Sequence, residues 1–143
     1  MSNILAIPLI ELGVTTSNNE DWIDSILYLV QTGDPSPPQL DIRGIIFEME
    51  IRRSALEHEV LLSASTANGT LKVGAPPDVG YLLFNIPITH VQPLIAGNYV
   101  GDITGRDSFY TRQIATIALT IVDGITIQPV TVTGTAAPSP MGV

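Results

Sequence analysis

Side chains able to do acid–base, nucleophilic or metal chemistry are few in this sequence and poorly spaced. His58 and His90 are the only histidines, and there is no cysteine. A transition-metal site would need Asp or Glu to complete its set. His58, however, sits between Glu57 and Glu59 on an alternating stretch that reads as a solvated edge. The run Asp102-Ile103-Thr104-Gly105-Arg106-Asp107 places two carboxylates around a glycine. It lacks both the alternating ligand spacing and the distant bidentate Glu of a calcium loop, so turn chemistry accounts for it. Asn18-Asn19-Glu20-Asp21, with Asp24, reads likewise as a polar loop ahead of a strand. Glu48 and Glu50 share one strand face and look outward, whereas an acid–base pair needs surroundings that drive two pKa values apart. No nucleophile elbow supports a Ser-His-Asp triad, and neither glycine-rich phosphate pattern occurs. The expectation is a chain that is not an enzyme and carries no metal and no cofactor.

Two further residues invite functional readings and receive plainer ones. Asn68-Gly69-Thr70 is formally a glycosylation sequon, but Asn-Gly is also the strongest turn signal in the chain. Trp22, the only tryptophan, would suit a stacking platform, yet a lone Trp in a β-sandwich is usually core.

Composition narrows the class. The 143 residues suit one domain able to bury a real core. Twelve glycines and eleven prolines punctuate short segments and argue against long helices. Charged residues make up 14%, against about 25% in an average soluble domain. Mean hydropathy is +0.33. Such a surface suits a subunit that hides much of itself in an assembly better than a lone monomer. The net charge of −8 disfavours nucleic acid, which attracts clustered Lys and Arg. The apolar run Ile4 to Val14 contains Pro8 and Glu11 and lacks a basic flank. It is a poor signal peptide and too short to span a membrane, so the chain is expected to stay in the cell until assembly, with no membrane partner.

The elements emerge from periodicity. Residues 1–16 read as an N-terminal edge strand or an arm packing on a neighbour. Asp21 to Val30 carries helical spacing too, but its length and its aromatic and branched residues favour a strand buried on both faces. Ile45 to Arg53 alternates cleanly, with Phe47, Met49 and Ile51 opposite Glu48, Glu50 and Arg52. His58 to Thr66 reads as a strand, and Leu61 to Val73 as a hairpin about Asn68-Gly69. Tyr81 to Pro87 is a strand, Thr89 to Ile95 a short connector, and Tyr99 to Ile103 a strand turning at Gly105 to Ser108. Phe109 to Val122 sets Ala115, Ile117, Leu119 and Ile121 opposite Thr116, Ala118 and Thr120. Asp123-Gly124 signals a last hairpin into Ile125-Thr126-Ile127, and residues 128–143 lack a core-forming pattern. About eight short strands with turns between them describe a single all-β, antiparallel sandwich over residues 17–127.

The order of motifs is specific where each motif alone is not. Asp21-Trp22 is followed by Leu40-Asp41-Ile42-Arg43-Gly44, the Asn68-Gly69 turn, the strand Leu82 to Pro87, Leu94-x-x-Gly97-x-Tyr99-x-x-Asp102-Ile103, and Gly124-Ile125-Thr126. This order resembles the small immunoglobulin-like β-sandwich proteins of tailed phages and prophages, similar to the N-terminal domain of baseplate upper proteins. The chain departs from that pattern at Ala115 and Ala118, where the family has glycine, and at Ile127, where it often has arginine. The resemblance implies an immunoglobulin-like sandwich and a virion structural protein of the tail, baseplate or neck, assembled in the host cytoplasm with other virion proteins and further copies of itself. A capsid cement or decoration protein is the near alternative. A carbohydrate-binding module, stacking sugar on Trp22, Tyr81, Tyr99 or Tyr110, is the distant one.

The motif residues have fold-holding reasons of their own. Gly97 suits a strand start needing an unusual φ ahead of Tyr99. Asp41 and Asp102, each placed at a strand end, can accept backbone N–H groups in a turn. Gly44 permits close packing or a bulge. For contact with neighbours, the expected segments are the arm, with Ile4, Leu5, Ile7, Leu9 and Ile10, and the tail, with Val130 and Val132. Strand addition at exposed sheet edges would supply the hydrogen bonds.

Overall fold

The computed structural model describes residues 2–124. Alternation decides the facing of its longest strands. Strand β1 spans Ile10–Ser17 and β2 spans Trp22–Leu27. Strand β3, Ile46–Arg52, buries Phe47, Met49 and Ile51 and leaves Glu48 and Glu50 in water. Strands β4 (Leu62–Ser65), β5 (Leu71–Val73) and β6 (Tyr81–Ile86) come next, then a single helical turn α1, Ile88–Val91. Strands β7, Gly97–Arg106, and β8, Thr111–Val122, complete the described chain.

Two sheets enclose one core. The larger has the order β1-β8-β7-β3-β4 and the smaller the order β2-β6-β5. This is an all-β sandwich with the Greek-key connections of the immunoglobulin fold. Its first strand lies beside the last described one, in the larger sheet, and pairs with it in parallel from Ile10 opposite Ala115 to Ser17 opposite Val122. The sandwich is therefore not wholly antiparallel. A register shift after Ile103 leaves Ile114 as an extra residue between Gln113 and Ala115. Ile114 and Ala115 are both buried as a result, because the bulge turns two successive side chains inward.

Several expected elements take another form. The segment Trp22–Leu27 is not buried on both faces, because only a single sheet layer lies against it. Trp22 points into the core at 2% exposure, while Ile23 stands at 69% on the outer side. Of His58 to Thr66, only Leu62–Ser65 is strand. The expected hairpin about Asn68-Gly69 does not form as a ladder. Strand β4 pairs with β3 in the larger sheet, and β5 pairs with β6 in the smaller. The Asn-Gly turn instead carries the chain across from one sheet to the other. Gly69 has φ +82°. The Thr70 amide and hydroxyl both donate to Asn68 Oδ1, and the Ser65 amide donates to the Thr70 hydroxyl. Side-chain bonds thus replace the ladder in closing the turn.

The N-terminal residues belong to the domain. A 3-10 turn, Ile4–Ala6, drops Ile4 and Ile7 into the core at 0% and 1% exposure. The Arg112 guanidinium donates to the carbonyls of both, at 3.0 and 2.9 Å. The Asn3 side-chain nitrogen donates to the Asp41 carbonyl, and the Ser2 hydroxyl to Asp107.

Candidate interaction surface

The motif residues hold the scaffold that any surface needs. Tyr99 is buried near the start of β7, and its hydroxyl donates to the Ile95 carbonyl at 2.5 Å. A tyrosine bonded back to the chain just upstream at this corner is a hallmark of immunoglobulin-like sandwiches. The Arg53 guanidinium lies 5.1 Å from the centre of the Tyr99 ring. Gly97 has φ +151°, a backbone conformation that L side chains rarely adopt, and a Cβ there would also lie 3.3 Å from that guanidinium. Asp41 accepts from the Arg43 amide at 3.0 Å and from its guanidinium at 2.6 Å. This pairing holds the Asp41 carboxyl down at about 2. Gly44 serves by its φ of +84° in that turn. Neither close packing nor a bulge explains it, since the nearest atom to a Cβ there is 3.8 Å away.

Asp102 is not at a strand end. It lies in the middle of β7 on the outer face of the larger sheet, opposite Glu50 on one side and Thr116 on the other. Partial burial, and then the Glu50 charge, raise its pKa above the ordinary value. Glu48 pairs with Arg106 at 3.3 Å and Glu50 with Arg52 at 2.8 Å on the same face. Like charges directly opposite across a ladder are destabilising. Asp102→Asn is therefore expected to raise stability by a few tenths to about 1 kcal/mol at neutral pH. Thermal melts at pH 7 and near pH 4 check it, since the gain should shrink once Asp102 is protonated.

The turn after β7 is fixed by Asp107. The Ser2 hydroxyl donates to it at 2.7 Å, and the Phe109 and Tyr110 amides each donate at 2.8 Å. These bonds, the Ser2 one foremost, lower its pKa from 3.8 to about 2. A depressed carboxylate lends stability that is complete above its unfolded pKa and lost as pH falls through the folded one. Acidifying from about pH 4 to pH 2 should thus loosen both this turn and the N-terminal residues. Asp107→Asn should flatten that part of the curve of melting temperature against pH.

The described surface offers more apolar contact than chemistry. No group of three or more His, Cys, Asp or Glu among the described residues is placed to hold a metal ion. His58 and His90 are both exposed and lie in separate loop and helix segments. Of the rings weighed for sugar stacking, Trp22 and Tyr99 are core, Tyr81 is half-buried, and Tyr110 is exposed beside Phe109 at the β7–β8 turn. No helix among the described residues is long and apolar enough to cross a membrane.

Three apolar surfaces stand out. The outer face of the smaller sheet carries Ile23 and Leu27 on β2 and Tyr81 and Leu83 on β6. Leu27 faces Tyr81 directly, and Leu83, opposite Ser25, is diagonal to both Ile23 and Leu27. At one end of the sandwich, Phe109 and Tyr110 project from the β7–β8 turn that Ser2 ties to the N-terminal residues. The third is Leu9, at 58% exposure just ahead of β1, whose own exposed positions are Glu11, Gly13 and Thr15. Of the residues expected to meet neighbours, Ile4 and Ile7 are unavailable, because their own core covers them. Leu5 and Leu9 are exposed, and Ile10 packs partly on the core. Val130 and Val132 lie outside the described residues.

The arrangement defines an immunoglobulin-like sandwich with open sheet edges and apolar outer patches. No family model matches the chain, and no curated protein matches it. Among solved structures, CopC from Methylosinus trichosporium OB3b is similar at 11% identity and a TM-score of 0.41, over 82% of this chain and 90% of that one.

Proposed function

We propose that this chain is a non-enzymatic structural protein of a tailed-phage or prophage particle. In this reading it is a tail, baseplate or neck component that joins subunits or fibres. The observation that carries the proposal is the outer face of the smaller sheet. A sheet with one solvated face ordinarily alternates to polar residues there. This one presents Ile23 at 69% and Leu27 at 41% exposure, next to Leu83 and Tyr81. Buried against a neighbour, such surface contributes about 25 cal/mol per Å². A charged fraction of 14% gives the isolated chain little to offset it. The motif order from Asp21-Trp22 to Gly124-Ile125-Thr126 supports the phage assignment within that class. The partners are other virion proteins and further copies of the chain.

The test is compositional. Particles purified from the phage or induced prophage should yield peptides of this chain at a fixed ratio to the other structural proteins. Gold label against the chain should mark the tail, baseplate or neck. Label spread over the shell would move the protein to a capsid decoration role. Absence from purified particles would remove the reading altogether.

A further inference from the structure

The larger sheet has an unusually inviting edge. Strand β1 is eight residues long and pairs with β8 over its whole length, while its other edge has no partner among the described residues. Natural edge strands are usually blunted by lysine, proline, a bulge or an inward-pointing charge. Within Ile10–Ser17 there is one charge, Glu11, and it points outward. There is no lysine, no proline and no register shift. A long, regular edge of this kind is a template for an added strand.

A candidate strand leaves the domain close by. The Asn18 amide donates to the Val122 carbonyl at 3.0 Å, and its side-chain nitrogen donates to Asp123 at 2.7 Å. The Gly124 amide donates to Asn18 Oδ1 at 3.2 Å, and a Cβ at Gly124 would lie 2.2 Å from the Cβ of Asn19. The chain is thereby pinned at the C-terminal end of β1. It continues as Ile125-Thr126-Ile127-Gln128-Pro129-Val130-Thr131-Val132-Thr133, uncharged, alternating on either side of Pro129 with a change of phase there. Both edges of β8 are occupied, by β7 and β1, and the expected hairpin partner Ile125-Thr126-Ile127 lies outside the described residues. Reaching its own β1 edge means stepping across two strand spacings, about 10 Å. Three residues from Val122 to Ile125 span at most about 10 to 11 Å when fully extended, with no allowance for the contacts at Asn18 and Asn19. Reaching its own edge by Ile125 would thus take nearly the whole extended reach of those three residues.

We propose that residues 125–133 of one copy add as a strand to the free edge of β1 of a second copy. Pro129, which has no N–H, is tolerated in an outermost strand with that position facing away from the ladder. The contact is head-to-tail, so repetition closes a ring when the rotation allows it. The inference rests on reading the chain as an assembled subunit, and it adds which edge is used, which segment fills it and that the partner is the chain itself.

The absence of cysteine makes the test clean. Thr15, exposed on the outer side of β1, is changed to cysteine in the full-length chain, combined in turn with Thr126→Cys, Gln128→Cys and Thr131→Cys. Light scattering on the unmodified chain first gives its mass. Under mild oxidation, at least one pairing should convert most of the protein into a reducible ladder of chain multiples. A disulfide confined to single chains would overturn the proposal, because each tail would then cover its own edge. No disulfide in any pairing, with a defined oligomer by light scattering, would also overturn it while leaving the assembled-subunit reading intact. A monomer at every concentration, without cross-links, would overturn this self-association, and only the particle composition would then decide the broader reading.

Discussion

Replacing both Ile4 and Ile7 with alanine is expected to destabilise the domain by about 4–10 kcal/mol, the range of two large-to-small core changes taken together. That approaches the whole stability of a typical domain, roughly 5–15 kcal/mol. Both side chains are essentially sealed from water, and the Arg112 guanidinium fixes the two carbonyls beside them. Urea denaturation measures the loss. If the double variant does not fold, Ile7→Val offers a readable version at about 0.5–1.5 kcal/mol. Leu5→Ala and Leu9→Ala, on exposed positions of the same segment, should stay within about 0.5 kcal/mol of the parent. A double variant as stable as the parent would mean that the N-terminal residues are an arm after all.

The second large effect is expected at Trp22. Its indole lies 5.5 Å from the Phe84 ring, at 45° to it, and its N–H donates to Asp24 at 3.3 Å. Trp22→Ala removes the largest side chain of the core and should cost about 3–5 kcal/mol. Because this is the only tryptophan, its fluorescence in the parent reports on that one position. The emission should be blue-shifted in the native state and unchanged by added glycans. Quenching by a sugar at constant stability would instead make the indole a binding platform.

The contrast between these side chains and the outer patches shows what a sequence carries and what it withholds. The alternation of Ile46–Arg52 and of Thr111–Val122 is legible because a buried face writes a period of two into the chain. The turn at Asn68-Gly69 is legible as a turn, since positive φ selects glycine. Its role in crossing between sheets is not, because that depends on which strand offers β4 and β5 a free edge. The apolar run from Ile4 reads the same whether it fills its own core or a neighbour's. Only the 3-10 turn, which buries Ile4 and Ile7 and exposes Leu5, separates the two. Asp102 reads as a strand-end residue because Gly105 resembles a turn glycine. Gly105 in fact lies within β7, buried beside Ile45, and the chain reverses only after Arg106. The Ile114 bulge left a faint signal, two adjacent apolar residues interrupting the alternation of β8. The exposed face of β2 left a misleading one, since Ile23 and Leu27 look like core residues wherever they end up.

The parallel pairing of β1 with β8 also bears on how the molecule is made. Ser2 and Asp107, joined by a hydrogen bond, are 105 positions apart, and β8 is the strand that sits between β1 and β7. Contacts this distant in sequence slow folding, because a large loop must close before they are rewarded. During synthesis, at roughly 5–20 residues per second, β1 waits several seconds for its only described neighbour to be made. Until then its apolar side chains and both of its edges are open to other nascent chains on the same message. The parallel β1–β8 pairing thus leaves the N-terminal strand without its sheet partner for most of the time the chain takes to be made.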